Sequence, residues 1–254
     1  MRNIIINADD FGKSKDINSA IIALMDLNLC MDTTLLVNFE ESEHAANMAL
    51  SKNKENHVGI HFNLTEGCPL TEAIKKERRF CTDEGLFHYK KKKRIISLSK
   101  SEKKAVYEEL VSQIRLCRSF GIPISHADSH NHIHEEPGLI QLFLEILKME
   151  KIPYLRLTNN MGKTSFLNNL YRRSYNTILS CNKLAGSDYF GSTSNFKNYK
   201  DKIGANSVIE LMIHPGQIFD SEIYDVYSNE NLSLLLPGII NGNKLISYHQ
   251  LGEL

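Results

Sequence analysis

The sequence predicts an α/β protein built on parallel strands. Short β-rich runs alternate along the chain with longer stretches whose apolar residues recur at helical spacing. No tandem repeat and no linker-like stretch interrupts this alternation, so residues 1–254 are expected to form a single domain. Polar residues capable of chemistry gather at the ends of the candidate strands, where parallel sheets and barrels carry their active sites.

The first strand is expected at 3–7, where Ile4, Ile5 and Ile6 make a continuous apolar run. A helix comes next at 15–28: Ile17, Ala20, Ile21, Leu24 and Met25 recur at helical spacing, and Ser14 supplies an N-cap. Strands at 33–38 and 58–63 flank a second helix at 41–52. A long helix at 101–120 carries Ala105, Leu110, Ile114 and Cys117 on one side and is stopped by Gly121-Ile122-Pro123. A strand at 125–128, a helix at 137–148 and strands at 154–157, 208–213 and 244–248 complete the pattern. Two stretches do not fit it. Residues 68–98 are polar and basic, and residues 159–202 are rich in Asn, Ser, Tyr and Lys; both read as loop excursions over one rim of the scaffold. From Lys75 to Arg118 there are 14 Lys/Arg and 6 Asp/Glu, including Lys90-Lys91-Lys92-Lys93-Arg94. That excess reads either as a solvated loop or as a surface for an anionic partner.

Composition excludes several classes. With 42% hydrophobic and 24% charged residues among 254, the chain can bury a core and is not disordered. Thirty Lys/Arg balance thirty Asp/Glu, which argues against a globally basic nucleic-acid binder. No apolar run is long enough for a membrane span, and the N-terminus lacks the apolar core and cleavage site of a secretory signal, so a cytoplasmic location is expected. Five scattered cysteines without a Cys-x-x-Cys pair read as ordinary reduced thiols.

The chemistry lies in the residues that end each strand. Asp9 and Asp10 end an apolar run, where two adjacent carboxylates need a cation or hydrogen-bond donors. Pleating sends neighbours to opposite sides, so only a local bend brings both into one site. One could then bind metal while the other works as a base; the alternative is a pair of helix-start aspartates. His61 comes directly after Val58-Gly59-Ile60 and reads either as a site residue or as a packed histidine. Within 126–134, His126, Asp128, His130, His132 and His134 alternate, which puts all five on one face if the segment stays extended. Protonated imidazoles on one face repel, and a divalent metal relieves that conflict by binding neutral imidazole. His214 precedes Pro215-Gly216, which favours an extended backbone; a general acid and a packed turn histidine both fit.

Together, Asn-Ala-Asp-Asp-Phe-Gly at 7–12, Gly-Ile-His-Phe-Asn-Leu-Thr at 59–65, His-Ala-Asp-Ser-His-Asn-His-Ile-His at 126–134 and His-Pro-Gly at 214–216 resemble the YdjC-like carbohydrate deacetylases, which include chitooligosaccharide deacetylase. Order and spacing fit from residue 2 to the C-terminus. The resemblance implies a distorted TIM-like (β/α) barrel. It also implies one divalent ion, Mg2+ or Zn2+ foremost, held by Asp10, His61 and His130. By similarity to the wider metal-dependent polysaccharide deacetylases, Asp9 is the expected catalytic base and His214 the expected general acid. Arg156 is expected either to orient Asp9 or to be an ordinary surface arginine, and Asp128 and His132 to fix ligand orientation, while His134 either joins them or faces substrate; Asn63 belongs to the same surrounding set. The family usually shows three successive histidines where this chain has His130-Asn131-His132, and strand alternation points Asn131 away from the site. The implied partner is an N-acetylated amino sugar or chitooligosaccharide, hydrolysed to acetate and a free amine; a homodimer is a family-level expectation. Tyr171, Tyr175, Tyr189 and Phe190 offer stacking surfaces or are core residues. Two other classes stay open. The His130, His132, His134 pattern also suits a two-metal phosphoesterase or amidohydrolase, and the chain could be a non-catalytic carbohydrate-binding module on the same scaffold.

Overall fold

The structure, a computed structural model, describes residues 1–89, 94–162 and 164–253, so Lys90 to Lys93 of the basic run lie outside the described residues. The strands are β1 (Asn3–Phe11), β2 (Asp32–Leu35), β3 (Val58–Phe62), β4 (Ala127–Ser129), β5 (Tyr189–Ser192), β6 (Val208–Ile213), β7 (Pro215–Phe219), β8 (Glu222–Asp225) and β9 (Lys244–Leu245). The helices are α1 (Lys15–Asp26), α2 (Ser42–Ser51), α3 (Glu72–Lys75), α4 (Lys100–Ser119), α5 (Ile140–Met149), α6 (Phe166–Cys181), α7 (Thr193–Tyr199) and α8 (Leu232–Ile240). One parallel sheet runs in the order β4-β3-β2-β1-β6-β5, with β9 added to β1, while β7 and β8 form an antiparallel hairpin.

The sheet curls. Parallel bridges continue from Ala127 in β4 to Leu155 and from Leu155 to Ala185, and the Asn160 amide donates to Phe190 O of β5 at 3.2 Å. The segment around 155–160 thus lies between the two edge strands. The central strand β1 is buried on both faces, which is why Ile4 to Ile6 read as an unbroken apolar run. Helices cover the outside. Ser14 Oγ caps α1 by accepting from Ile17 N, and α4 opens with a reciprocal Ser99/Glu102 capping box. Leu142, Phe143, Leu144, Ile146 and Leu147 bury the inner face of α5; each such side chain contributes roughly 1.5–3 kcal/mol on full burial.

Several expectations need correction. Residues 154–157 make single bridges at Leu155 instead of a strand, and Pro153 has no amide to start a ladder. Residues 159–202 are not a loop: they supply α6, β5 and α7. Their signal was weak because α6 fully buries only Tyr175 and Leu179, and β5 is short and contains Gly191. The described residues of the 68–98 excursion include a packed part, with Phe80, Phe87 and Tyr89 buried and a bridge between Cys81 and Phe87. The hairpin and α8 were not anticipated. Among the described residues no helix is long and apolar enough to cross a membrane.

Candidate active site

The site begins with a defect in β1. Pairing with β2 slips between Ala8 and Phe11, and Asp10 adopts φ 69°, so the strand bulges where the two aspartates stand. This is the bend the adjacent carboxylates required. Asp9 turns toward Arg156 and Asp10 toward two histidines.

Asp10 Oδ1 lies 2.8 Å from His130 Nδ1 and 3.3 Å from His61 Nε2. The three residues could hold a metal ion: one ligand atom from each falls within 4.8 Å of the others, and all three are buried. His61 sits opposite Asp128 in the β3–β4 register, and its Nδ1 lies 2.6 Å from Asp128 Oδ1. A carboxylate at Nδ1 fixes the ring and turns Nε2 toward Asp10, the arrangement that orients metal-binding imidazoles. Burial opposes a charge on His61, but Asp128, Asp10 and Asp9 outweigh it and push its pKa up to about 10. The field that captures a proton there would also draw a cation. Burial likewise opposes the charge on Asp10, yet His130 and His61 hold its carboxyl well below the usual range.

Arg156 is fully buried. Its Nη1 and Nη2 donate to Asp9 Oδ2 and Oδ1 at 2.6 and 2.7 Å, Nη1 also reaches Asp128 Oδ2 at 2.7 Å, and Nε donates to Glu210 at 2.6 Å. Despite burial, this guanidinium keeps Asp9 well below the ordinary carboxylate range, so Asp9 is ionised at neutral pH. Asp9, Asp128 and Glu210 thus share one buried guanidinium, while Asp10 beside them faces His61, His130 and Lys13. His214 leaves the end of β6 and brings Nε2 to 4.0 Å from Asp9 Oδ2; its side chain is 18% exposed, against 3% for Asp9. Asp225 Oδ2 accepts from His214 N at 2.7 Å, and the Tyr227 ring stands edge-on to His214.

The histidine run does not stay extended. After β4 the backbone turns into a 3-10 helix, with Asn131 and His132 at φ 54° and 51°. His130 enters the site. His134, expected to orient a ligand or face substrate, lies fully buried beside Phe143 and Tyr175, with Nδ1 2.5 Å from Ser129 Oγ. His126 is also fully buried, stacked on Tyr248. His132 is half-buried against Phe190 and is not a member of the Asp10 group. Asn131 does not obey strand alternation: its Nδ2 donates to Thr65 Oγ1 at 3.0 Å on the wall of a cavity. Asn63 fixes a loop, its Oδ1 accepting from Thr65 N and Glu66 N. Tyr175 and Phe190 are core residues.

Glu66 and Glu210 reach the site without any mark in the sequence. Glu66 Oε2 lies 2.8 Å from His130 Nε2 and 3.0 Å from Lys13 Nζ, and those hydrogen bonds draw its pKa down to about 2. Lys13, the third unmarked residue, also stands 3.6 Å from Asp10 Oδ2. Glu210 sits inside β6, where nothing in an apolar strand marks it as a partner of Arg156. The adjacent cavity, about 580 Å3, is walled by Glu66, Phe87, His88, Tyr89, Asn131 and His132, so both the 68–98 excursion and the histidine run contribute to it. A larger cavity near Arg172 and Lys202 shares no lining residue with the cluster.

Fold and site together define an α/β protein whose curled parallel sheet ends in a buried carboxylate–imidazole cluster suited to a metal ion. The chain belongs to the YdjC-like protein family, whose profile matches residues 3–248. It is 32% identical over 228 residues to a carbohydrate deacetylase of Clostridium beijerinckii, covering 87% of this chain and 83% of the relative. A carbohydrate deacetylase of Vibrio parahaemolyticus is 30% identical over 150 residues, 59% of this chain and 57% of that relative, so this match spans little more than half of the Vibrio protein. A solved structure from Enterococcus faecalis V583, a proposed cellobiose-phosphate cleavage protein, shares the fold with TM-score 0.73 and 20% identity, over 98% of both chains.

Proposed function

We propose that this protein is a divalent-metal-dependent hydrolase that removes the N-acetyl group from an amino sugar or chitooligosaccharide. The observation that carries the reading is the pairing of two sets at one bulged strand end: Asp10, His61 and His130 converge on one point, and Asp9 faces His214 beside them. The carbohydrate deacetylases to which the chain is similar favour the same substrate class. We read the bridges at Leu155 as the seam of a distorted (β/α) barrel, and the chain as one domain.

Asp10, His61 and His130 would hold the ion, one carboxylate with two imidazoles being a donor set that suits zinc or magnesium. When bound, the ion supplies Lewis acidity at the acyl oxygen and makes water easier to deprotonate. The chain does the rest. Asp9, ionised and clamped by both arms of Arg156, takes the proton of the attacking water on a carboxylate oxygen. His214, protonated at Nε2, gives that proton to the departing nitrogen, which otherwise leaves poorly. The C–N bond breaks, and acetate and a free amine result. Phe87 and Tyr89 offer apolar walls, and Asn131 and Glu66 polar ones, to the sugar.

The two-metal reading is weaker. A second candidate group, Asp9, His61 and Asp128, shares His61 with the first, and Arg156 already occupies Asp9 and Asp128 at 2.6–2.7 Å. The test is acetate release from diacetylchitobiose by metal-stripped and metal-restored protein. Release only in the restored sample, with one ion per chain, is the expected outcome. Bound metal with no release from any N-acetyl sugar would overturn the proposal, and two ions per chain would favour a phosphoesterase or amidohydrolase.

A further inference from the structure

Arg156 uses its Nη edge on Asp9 and sends Nε the other way, to Glu210. Glu210 accepts on both oxygens: Arg156 Nε at 2.6 Å on Oε1 and Tyr248 Oη at 2.6 Å on Oε2. The Tyr248 ring stacks on His126, centroids 3.9 Å apart and planes 11° apart. His126 Nε2 lies 2.9 Å from Asn7 Oδ1, and Asn7 Nδ2 donates to Asp9 Oδ1 at 2.8 Å. The contacts close into a ring: Asp9, Arg156, Glu210, Tyr248, His126, Asn7 and back to Asp9.

Two glycines make room for the stacked pair. A Cβ at Gly59 would stand 2.7 Å from His126 Cε1, and one at Gly186 would stand 2.5 Å from Tyr248 Cε1. Tyr248 is also pinned through its backbone, its amide donating to Asp32 Oδ2 at 2.9 Å. All members of the ring are 2% exposed or less.

Glu210 is not needed to neutralise Arg156, because Asp9 and Asp128 already do so. Burying another carboxylate is costly, and a well-packed apolar residue would serve stability as well or better. What Glu210 does provide is direction: occupying Nε leaves only the planar Nη edge to face Asp9. We infer that Glu210 and Tyr248 are positioning residues for the reaction, holding Arg156, and through it Asp9, in the orientation in which Asp9 meets the attacking water. The inference rests on the reading of Asp9 as the base.

The experiment compares wild type, Glu210→Gln, Tyr248→Phe, Arg156→Lys and the Glu210→Gln/Arg156→Lys pair in acetate release from diacetylchitobiose, with metal content and thermal melting measured alongside. Glu210→Gln keeps the shape and one acceptor oxygen but loses the charge and the second acceptor. It is expected to lower kcat about 10- to 100-fold, with KM little changed and one ion per chain retained. Tyr248→Phe keeps the stacked ring and should lower kcat in the same way by a smaller factor. Because Glu210 acts through Arg156, the Gln substitution should cost less than about threefold in the Arg156→Lys background. A Glu210→Gln enzyme within about twofold of wild type in kcat, or the full Gln cost reappearing in the Lys background, overturns the inference alone. Should Glu210→Gln not fold, Tyr248→Phe decides: a fall in kcat at constant KM supports the inference and wild-type kcat overturns it. Metal-loaded wild type that releases no acetate from any N-acetyl sugar overturns the reading of Asp9 and this inference together.

Discussion

Two strand ends carry repeated chemistry in this chain, and they treat it differently. At the end of β1, adjacent Asp9 and Asp10 reach one site with separate partners, Arg156 for the first and His61 with His130 for the second. At the end of β4, evenly spaced histidines are dispersed: His130 joins the site, His132 lines the neighbouring cavity, and His134 goes into the core. Both regions turn on residues in the left-handed region, Asp10 in one and Asn131 with His132 in the other. Pleat periodicity holds only while the ladder continues. Where it stops, the local backbone decides which side chain enters, so neighbours can converge and alternating residues can part.

The sharpest way to break this comparison is to exchange the expected roles. His130→Ala should remove metal and activity together, whereas Asp9→Asn should retain one ion per chain and lose about 10²–10⁴-fold in kcat. Metal analysis beside acetate release reads both variants. If Asp9→Asn lost the ion and Asp10→Asn kept it, the division of labour at β1 would be reversed.

The dispersed histidines predict a different kind of loss. His134→Ala should destabilise the fold by about 1–3 kcal/mol, because it strips a partner from Ser129 and opens the packing around Phe143. Urea unfolding measures that cost. The folded fraction should still bind metal, and loss of metal at full stability would return His134 to the site.

Protons bear on the His61 environment. Its pKa in the metal-free fold is raised from 6.5 to about 10, with burial opposing and Asp128, Asp10 and Asp9 prevailing. A raised value means the folded protein holds this proton more tightly than the unfolded chain. That stabilisation is fully present below pH 6.5 and is lost as pH rises through about 10. The Tm of metal-stripped protein is therefore expected to fall across this window. Added zinc should flatten the fall and bind more tightly as pH rises, since it displaces the same proton. A Tm that rose with pH in stripped protein would contradict the carboxylate environment of His61.

The smallest expected effect tests the left-handed turn itself. Asn131→Val should cost about 1–2 kcal/mol, because a β-branched side chain resists φ 54°, while Asn131→Gly should leave Tm almost unchanged. Equal melting of the two variants would show that backbone strain at 131 does not shape the turn.

Much of this molecule was legible in the sequence because local patterns map directly onto local structure. The continuous apolar run of β1, the helical spacing and cap of α1, and the stop at Gly121-Ile122-Pro123 all report on near neighbours. The concentration of Asp and His at strand ends was equally readable, since parallel topology places those ends on one rim. What the sequence could not carry was partnership across distance. That Arg156 is buried between Asp9, Asp128 and Glu210, that Glu66 reaches His130, and that β5 completes the sheet from a stretch with little β signal are outcomes of packing. A buried charge is tolerated only where the fold supplies its counter-charge. That supply comes from residues tens of positions apart, brought together by the curl of the sheet.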